Sequence, residues 1–168
     1  MGDSNTPEYL KRVVVRSYES ADHPQVMRLY SDGLLFGDLD PNDTAADLEY
    51  MEDAYFGQPQ DHFWVAMLDE MLVGMVGVVD DERSVGQLRR LRAAPEYQHM
   101  ELVTKLIQTA LEHCREHGYL KVILDTHVDP ARVVECIEGH GYQYTRKRNV
   151  HGRDILEFYL NLYQKPIE

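Results

Sequence analysis

Residues 95–107 read PEYQHMELVTKLI. Pro95 closes the strand-like run VGQLRRLRAA (85–94), and the residues after it take on the spacing of an amphipathic helix. The stretch is therefore a strand end, a turn and a helix start. Such junctions often hold phosphates, because the first N–H groups of a helix lack intrahelical partners and the helix dipole favours negative charge. Glycines usually line them, so that the backbone can come close to the ligand. Here His99, Met100, Glu101 and Val103 stand in those places.

Working outward, RVVVRSYESAD (12–22) alternates as a strand and stops at Asp22, a natural N-cap, with Pro24 early in the helix that follows. PQVMRLYSDGLL (24–35) puts Val26, Leu29 and Tyr30 on one helical face. Residues 37–61 are polar, with a helix expected over about 45–55. HFWVAMLDEMLVGMVGVVDDE (62–82) reads as two strands around a tight turn at Asp69-Glu70. Downstream of the 101–117 helix, Gly118 follows His113, Arg115 and His117, a good C-terminal stop. LKVILDTHV (120–128) is an apolar strand with neighbours on both sides. DPARVVECIEGHGY (129–142) is a short helix ending near Gly139, and residues 142–163 form a hairpin turning at 149–152. The order is β-α-α-β-β-β-α-β-α-β-β. It predicts an α/β layered domain whose sheet is mostly antiparallel, with one parallel step around the 101–117 helix.

The composition bounds the function. A chain of 168 residues with 43% hydrophobic and 27% charged residues is expected to form one domain, residues 12–168, after a flexible segment 1–11. Its net charge of −12, from 17 basic and 29 acidic residues, argues against nucleic acid as a partner. No apolar run reaches membrane-spanning length and no secretory segment stands near Met1, so no membrane partner is expected. Cys114 and Cys136 both fall in helix-like segments and read as free thiols of a cytoplasmic protein. HCREH (113–117) matches a zinc-peptidase spacing; its other reading is the basic end of a helix. Residues 37–53 carry Asp38, Asp40, Asp43, Asp47, Glu49, Glu52 and Asp53, either a solvated acidic face or a surface that attracts cations.

Three segments in this order resemble the GNAT superfamily of N-acetyltransferases. RSYESAD (16–22) with VMRLY (26–30) looks like the family's opening strand and helix, and LRRLRAAPEYQ (88–98) like its fourth strand and the approach to the cofactor turn. VVECIEGHGYQY (133–144) looks like its closing helix and Gly-Tyr corner. The resemblance covers about residues 12–163. It implies a GNAT-like layered fold, a mixed, mostly antiparallel sheet with helices on both faces. It also implies an acetyl-CoA-dependent enzyme that transfers an acetyl group to an amine by direct attack. The main chain of Leu91, Arg92 and Ala93 would then pair with pantetheine. The turn formed by Gln98, His99, Met100, Glu101, Leu102, Val103 and Thr104 would meet the pyrophosphate.

The family's turn reads Arg/Gln-x-x-Gly-x-Gly/Ala. Gln98 matches the first position, but Glu101 and Val103 replace the glycines. Val103 is expected to crowd the phosphates. Glu101 brings a like charge worth on the order of a few kcal/mol at an effective dielectric near 20; its other reading is a carboxylate that caps the helix end. Where the family often has an acidic tyrosine in the closing helix, this chain has Ile137, with Tyr142 and Tyr144 as nearby substitutes. The fourth strand offers Gln87, Arg89, Arg90 and Arg92 but no carboxylate base, which leaves His127 as the candidate base. The acidic segment would border the acceptor site and favour a cationic amine. The rival implication is a GNAT-fold module without acyl transfer that binds a ligand or partner, or serves as one subunit of a homodimer.

Overall fold

The computed structural model describes residues 7–32, 44–80, 84–97, 100–127, 143–150 and 153–162. Seven strands form one sheet: β1 (Val13–Ser17), β2 (His62–Leu68), β3 (Met71–Asp80), β4 (Val85–Ala93), β5 (Lys121–His127), β6 (Gln143–Val150) and β7 (Arg153–Asn161). Their order is β1-β2-β3-β4-β5-β7-β6. Among the described strands only β4 and β5 run parallel, and α4 (Met100–Glu116) makes that crossover. The other helices are α1 (His23–Asp32), α2 (Ala46–Glu49) and α3 (Met51–Tyr55). The expected α/β class, mixed sheet and single parallel step are what is found.

Helices cover both faces of the sheet, so its central strands are buried on both sides and read as nearly continuous apolar runs. Along β2, Trp64, Ala66 and Leu68 pack with Leu102, Val103, Leu106, Ile107 and Ala110 of α4. The alternate residues Phe63, Val65 and Met67 pack with Val26, Leu29, Leu48, Met51 and Tyr55 of the other helices. Gly118 closes the α4 end at φ +78°, where a side chain would be strained.

Three boundaries differ from expectation. The 45–55 helix is broken at Tyr50 (φ −119°, ψ 55°) into α2 and α3. The carboxylate of Asp22 turns back, accepting hydrogen bonds from the Glu19 N–H at 2.8 Å and from Arg16 Nη1 and Nη2 at 2.8 and 2.9 Å. The folded unit also starts before residue 12: Glu8–Lys11 is a 3-10 turn, Leu10 is buried, and Lys105 Nζ donates to the Leu10 carbonyl at 3.0 Å. The helix expected at 129–139, with Cys136 and Ile137, lies outside the described residues.

Candidate active site

The site is built on β4. Met75 pairs with Arg92 and Gly77 with Arg89, so Val76 alone faces both Arg90 and Leu91. That is a β-bulge, with Arg90 in the left-handed region at φ +56°. Such backbone costs a residue with a side chain about 1–2 kcal/mol. The extra residue resets the alternation: Leu88, Leu91 and Ala93 all meet the α4 core, although regular pleating would send Leu88 and Leu91 to opposite faces.

The arginines therefore turn to the other face. Arg92 is buried, donates Nη1 to the Tyr30 carbonyl at 3.0 Å and lies 4.6 Å from the Tyr30 ring centre. Arg90 grips Asp47 of α2 through Nε (3.0 Å) and Nη2 (2.5 Å), with both side chains about 15% exposed. Tyr55 donates its hydroxyl to the same carboxylate at 2.5 Å. Burial alone would push the Asp47 carboxyl up, but the hydrogen bonds from Arg90 and Tyr55 outweigh it and hold the group below the usual carboxylate range. Burial, and then the charge of Asp47, raise the Tyr55 phenol.

Asp47 thus brings a carboxylate to β4, as the ion-pair partner of Arg90 and not as a base. Nothing in the spacing pointed to it, since 43 residues separate it from Arg90. It also leaves the acidic lip, because its charge is spent on Arg90.

The second feature is a parting of strands. The β4–β5 ladder runs from Val85/Lys121 to Leu88/Leu124 and stops. β4 continues to Ala93, while β5 stays paired with β7 as far as His127/Ile155. Leu91, Arg92 and Ala93 form one lip of the opening, and β5 carries His127 to the other. A short turn, Pro95–Tyr97, leads from the β4 lip to Met100, where α4 starts.

The α4 start corrects one expectation. Val103 is 2% exposed and Leu102 fully buried, both within the α4 core, so neither side chain crowds the approach to the helix end. Their side chains belong to the core under the sheet. Glu101 and Thr104 are half-buried. The Glu101 charge lies near Tyr9, whose phenol is raised by burial, then by Tyr97 and then by Glu101. Gln98, His99 and Tyr142 lie outside the described residues.

Two other constellations resolve. A cleft of about 410 Å³ is lined by Tyr18, Ser20, His23, Glu49, Tyr50, Met51, Glu52 and Asp53. It takes up three of the seven carboxylates of the acidic segment; Asp38, Asp40 and Asp43 lie outside the described residues. The HCREH histidines stack instead of converging. His113 and His117 ring centres are 4.0 Å apart, and His62 stacks on His113 at 5.4 Å. His113 Nε2 lies 2.8 Å from the Gln60 carbonyl. Among the described residues no group of three metal-ligating side chains comes together, and no helix is long and apolar enough to cross a membrane.

Known proteins are similar to this chain in sequence or in fold. Human N-acetyltransferase 8 is 31% identical over 105 residues, 59% of this chain and 46% of its own length, so this chain spans about half of that relative. A Salmonella typhimurium protein solved with its cofactor acetyl-CoA superposes with a TM-score of 0.74 at 15% identity, over 93% of this chain and 97% of that one. A chimeric spermidine N-acetyltransferase from Vibrio cholerae superposes with a TM-score of 0.71 at 19% identity, over 89% and 95%. At these identities the two structures speak for the fold alone. The model of the acetyltransferase (GNAT) family matches residues 24–142, and the chain belongs to that family.

Proposed function

We propose that this chain transfers an acetyl group from acetyl-CoA to an amine by direct attack of the amine on the thioester. The observation that carries the reading is the parting of β4 and β5 beside the start of α4. Such a gap offers main-chain groups on its β4 lip to a slim, extended ligand with amide groups, and a helix N-terminus for its phosphates. The proposed pantetheine contacts run along Leu91–Ala93, and the phosphate end is the less favourable one, because Glu101 supplies a like charge there. Bound acetyl-CoA supplies the activated acyl group. The chain holds it in place and polarises it with fixed backbone donors, and positioning is the main source of rate. His127 is proposed to take the proton of the amine and Tyr142 to protonate the departing thiolate.

The acceptor is proposed to be a cationic amine, drawn by Glu49, Glu52 and Asp53 around the cleft at Tyr18 and Tyr50. The spermidine acetyltransferase of like fold agrees with that chemistry. Cys114 is a free, buried thiol, in keeping with a reducing compartment, and a cytoplasmic location is proposed.

A second reading is favoured by Glu101, which puts a carboxylate in the first turn of α4. There the fold binds a ligand or partner without acyl transfer. Calorimetry with acetyl-CoA, followed by acyl-transfer assays on polyamines, neutral amines and acidic amino acids, separates the two. Binding with turnover of polyamines supports the enzyme. Binding without turnover of any amine supports the module. Absence of both overturns the acetyl-CoA site.

A further inference from the structure

We infer that Asp47 is a positioning residue for acyl transfer: by clamping Arg90 it holds the β4 bulge and so sets how Leu91, Arg92 and Ala93 face the opening between β4 and β5. The inference rests on the acetyl-transfer reading given above, and it concerns residues that lie outside the proposed acid, base and acetyl-CoA contacts.

Among the described residues, four other than glycine have positive φ: Ala45, Asp69, Ser84 and Arg90. The first three lie between elements. Of these four, only Arg90 lies inside a strand. Its local sequence, Leu88-Arg-Arg-Leu91, contains no glycine or asparagine that would favour the left-handed region. Something distant must hold it there, and a two-point ion pair to Asp47 does so in a largely water-excluded place.

Asp47 is held in turn. The Tyr55 hydroxyl fixes its Oδ2, and the Tyr55 ring is fully buried against Phe63, with ring centres 4.9 Å apart. The ring fits because Gly77 has no side chain: a Cβ at that position would meet Tyr55 Cε1 at 2.6 Å. Gly77 pairs with Arg89, next to the bulge. Gly77, Tyr55, Asp47 and Arg90 thus close a circuit around the bulge, from β3 through α3 and α2 back to β4.

The consequence reaches the opening because a strand's side chains alternate. Removing the extra residue shifts everything beyond it by one place and exchanges its faces. Leu91 and Ala93 would leave the α4 core and Arg92 would point into it. The β4 lip would then offer a different set of main-chain groups to the acyl-CoA arm.

Glycine makes the test specific, because it takes φ +56° without a Cβ penalty and keeps the bulge without a clamp. Asp47→Ala, Asp47→Asn and Arg90→Gly, and Asp47→Ala combined with Arg90→Gly, are compared well below their unfolding temperatures. The readouts are kcat/KM for acetyl-CoA, KM for the amine, and amide exchange along residues 89–93. Asp47→Ala is expected to lower kcat/KM for acetyl-CoA at least tenfold, to leave KM for the amine within about twofold, and to speed exchange at 89–93. Arg90→Gly added to it should recover most of that loss. Asp47→Asn, which keeps shape and the Tyr55 bond, should fall between and stands in if the alanine variant does not fold. Unchanged exchange and kinetics in folded Asp47 variants would overturn the inference, as would a double variant no better than Asp47→Ala. Should the unaltered protein show no acyl transfer, the enzyme reading fails, and exchange at 89–93 still decides the clamp.

Discussion

Glu101 and Val103 sit within one turn at the start of α4 and act in opposite ways. Glu101 is half-buried and keeps a charge beside the helix end where phosphates would sit. Replacing it with glutamine removes repulsion toward an anionic ligand, so Glu101→Gln is expected to tighten acetyl-CoA several-fold, up to about tenfold (about 1.4 kcal/mol), by calorimetry at low salt. The gain should shrink as salt screens the charge. The same change removes a favourable helix-dipole contact and should lower stability by about 0.3–1 kcal/mol. Val103 is core, packed with Leu102 and Leu106 under β4. Val103→Ala should therefore cost about 1–3 kcal/mol in denaturant unfolding and leave acetyl-CoA affinity unchanged. A valine truncation that tightened acetyl-CoA would mean that its side chain faces the ligand after all.

Elements carry the features that couple the site to the core. Gly77 lets β3 meet the Tyr55 ring, so Gly77→Ala should overpack by about 1–3 kcal/mol and push Tyr55 off Asp47. Its expected signature in a folded sample is faster amide exchange at the β4 bulge. Strand β2 and helix α4 also share a histidine stack. Burial lowers both His62 and His113 from the ordinary 6.5; the charges of His113 and His117 add to the effect on His62. On His113, His117 works the same way, while the Gln60 carbonyl, Glu116 and Asp61 oppose it. A lowered histidine means that the unfolded chain takes up protons first. Stability is therefore full above pH 6.5 and falls as pH drops through 6.5 toward the folded values. Denaturant midpoints between pH 8 and 5 should show that fall, and His62→Phe should flatten it; a midpoint that rises on acidification would reverse the sign of the argument. Asp22 and Asp47, both held low by arginines, lose their contributions in a separate, more acid window. The sequence announced these elements clearly, because apolar period separates strand from helix and because β2, β3 and α4 are strongly patterned. It did not announce the bulge. Leu-Arg-Arg-Leu-Arg alternates well enough to pass for regular strand, and no glycine marks the left-handed residue. It also misassigned Asp47, since counting carboxylates from 38 to 53 says nothing about which way each one points. The motif position of Val103 suggests a phosphate contact, whereas its helical phase with Leu102 and Leu106 puts it in the core.

Charge acts over the whole molecule. The chain carries 29 acidic residues against 17 basic ones. Some of that charge is neutralised locally, by Arg16 on Asp22, Arg12 on Asp69 and Arg90 on Asp47. Glu49, Glu52 and Asp53 instead line the cleft beside Tyr18 and Tyr50, where aromatic faces and carboxylates together suit a multiply charged amine. A field of this sign gathers polyamines and turns away acidic amino acids, and it acts across water, so salt weakens it. With screening lengths of about 14 Å near 0.05 M and about 4 Å near 0.5 M, kcat/KM for a triamine is expected to fall roughly three- to tenfold over that range. For a neutral amine it should stay nearly flat. Glu52→Gln with Asp53→Asn should remove much of the salt dependence without altering the turnover of the neutral amine. The same field favours the ammonium form of the acceptor, which is not nucleophilic. β4 supplies no carboxylate to take that proton, Asp47, the acid that reaches it, is tied to Arg90 and Tyr55, and an imidazole such as that of the proposed base His127 is a far weaker base than an alkylamine. The rate should therefore keep climbing from neutral into alkaline pH as free amine accumulates. Assays of the three acceptor classes at two salt concentrations and several pH values measure all of this together. Preference for acidic acceptors, or polyamine rates indifferent to salt, would show that the cleft carboxylates do not steer the substrate and that the exposed Arg89 face of β4 is the better place to look for it.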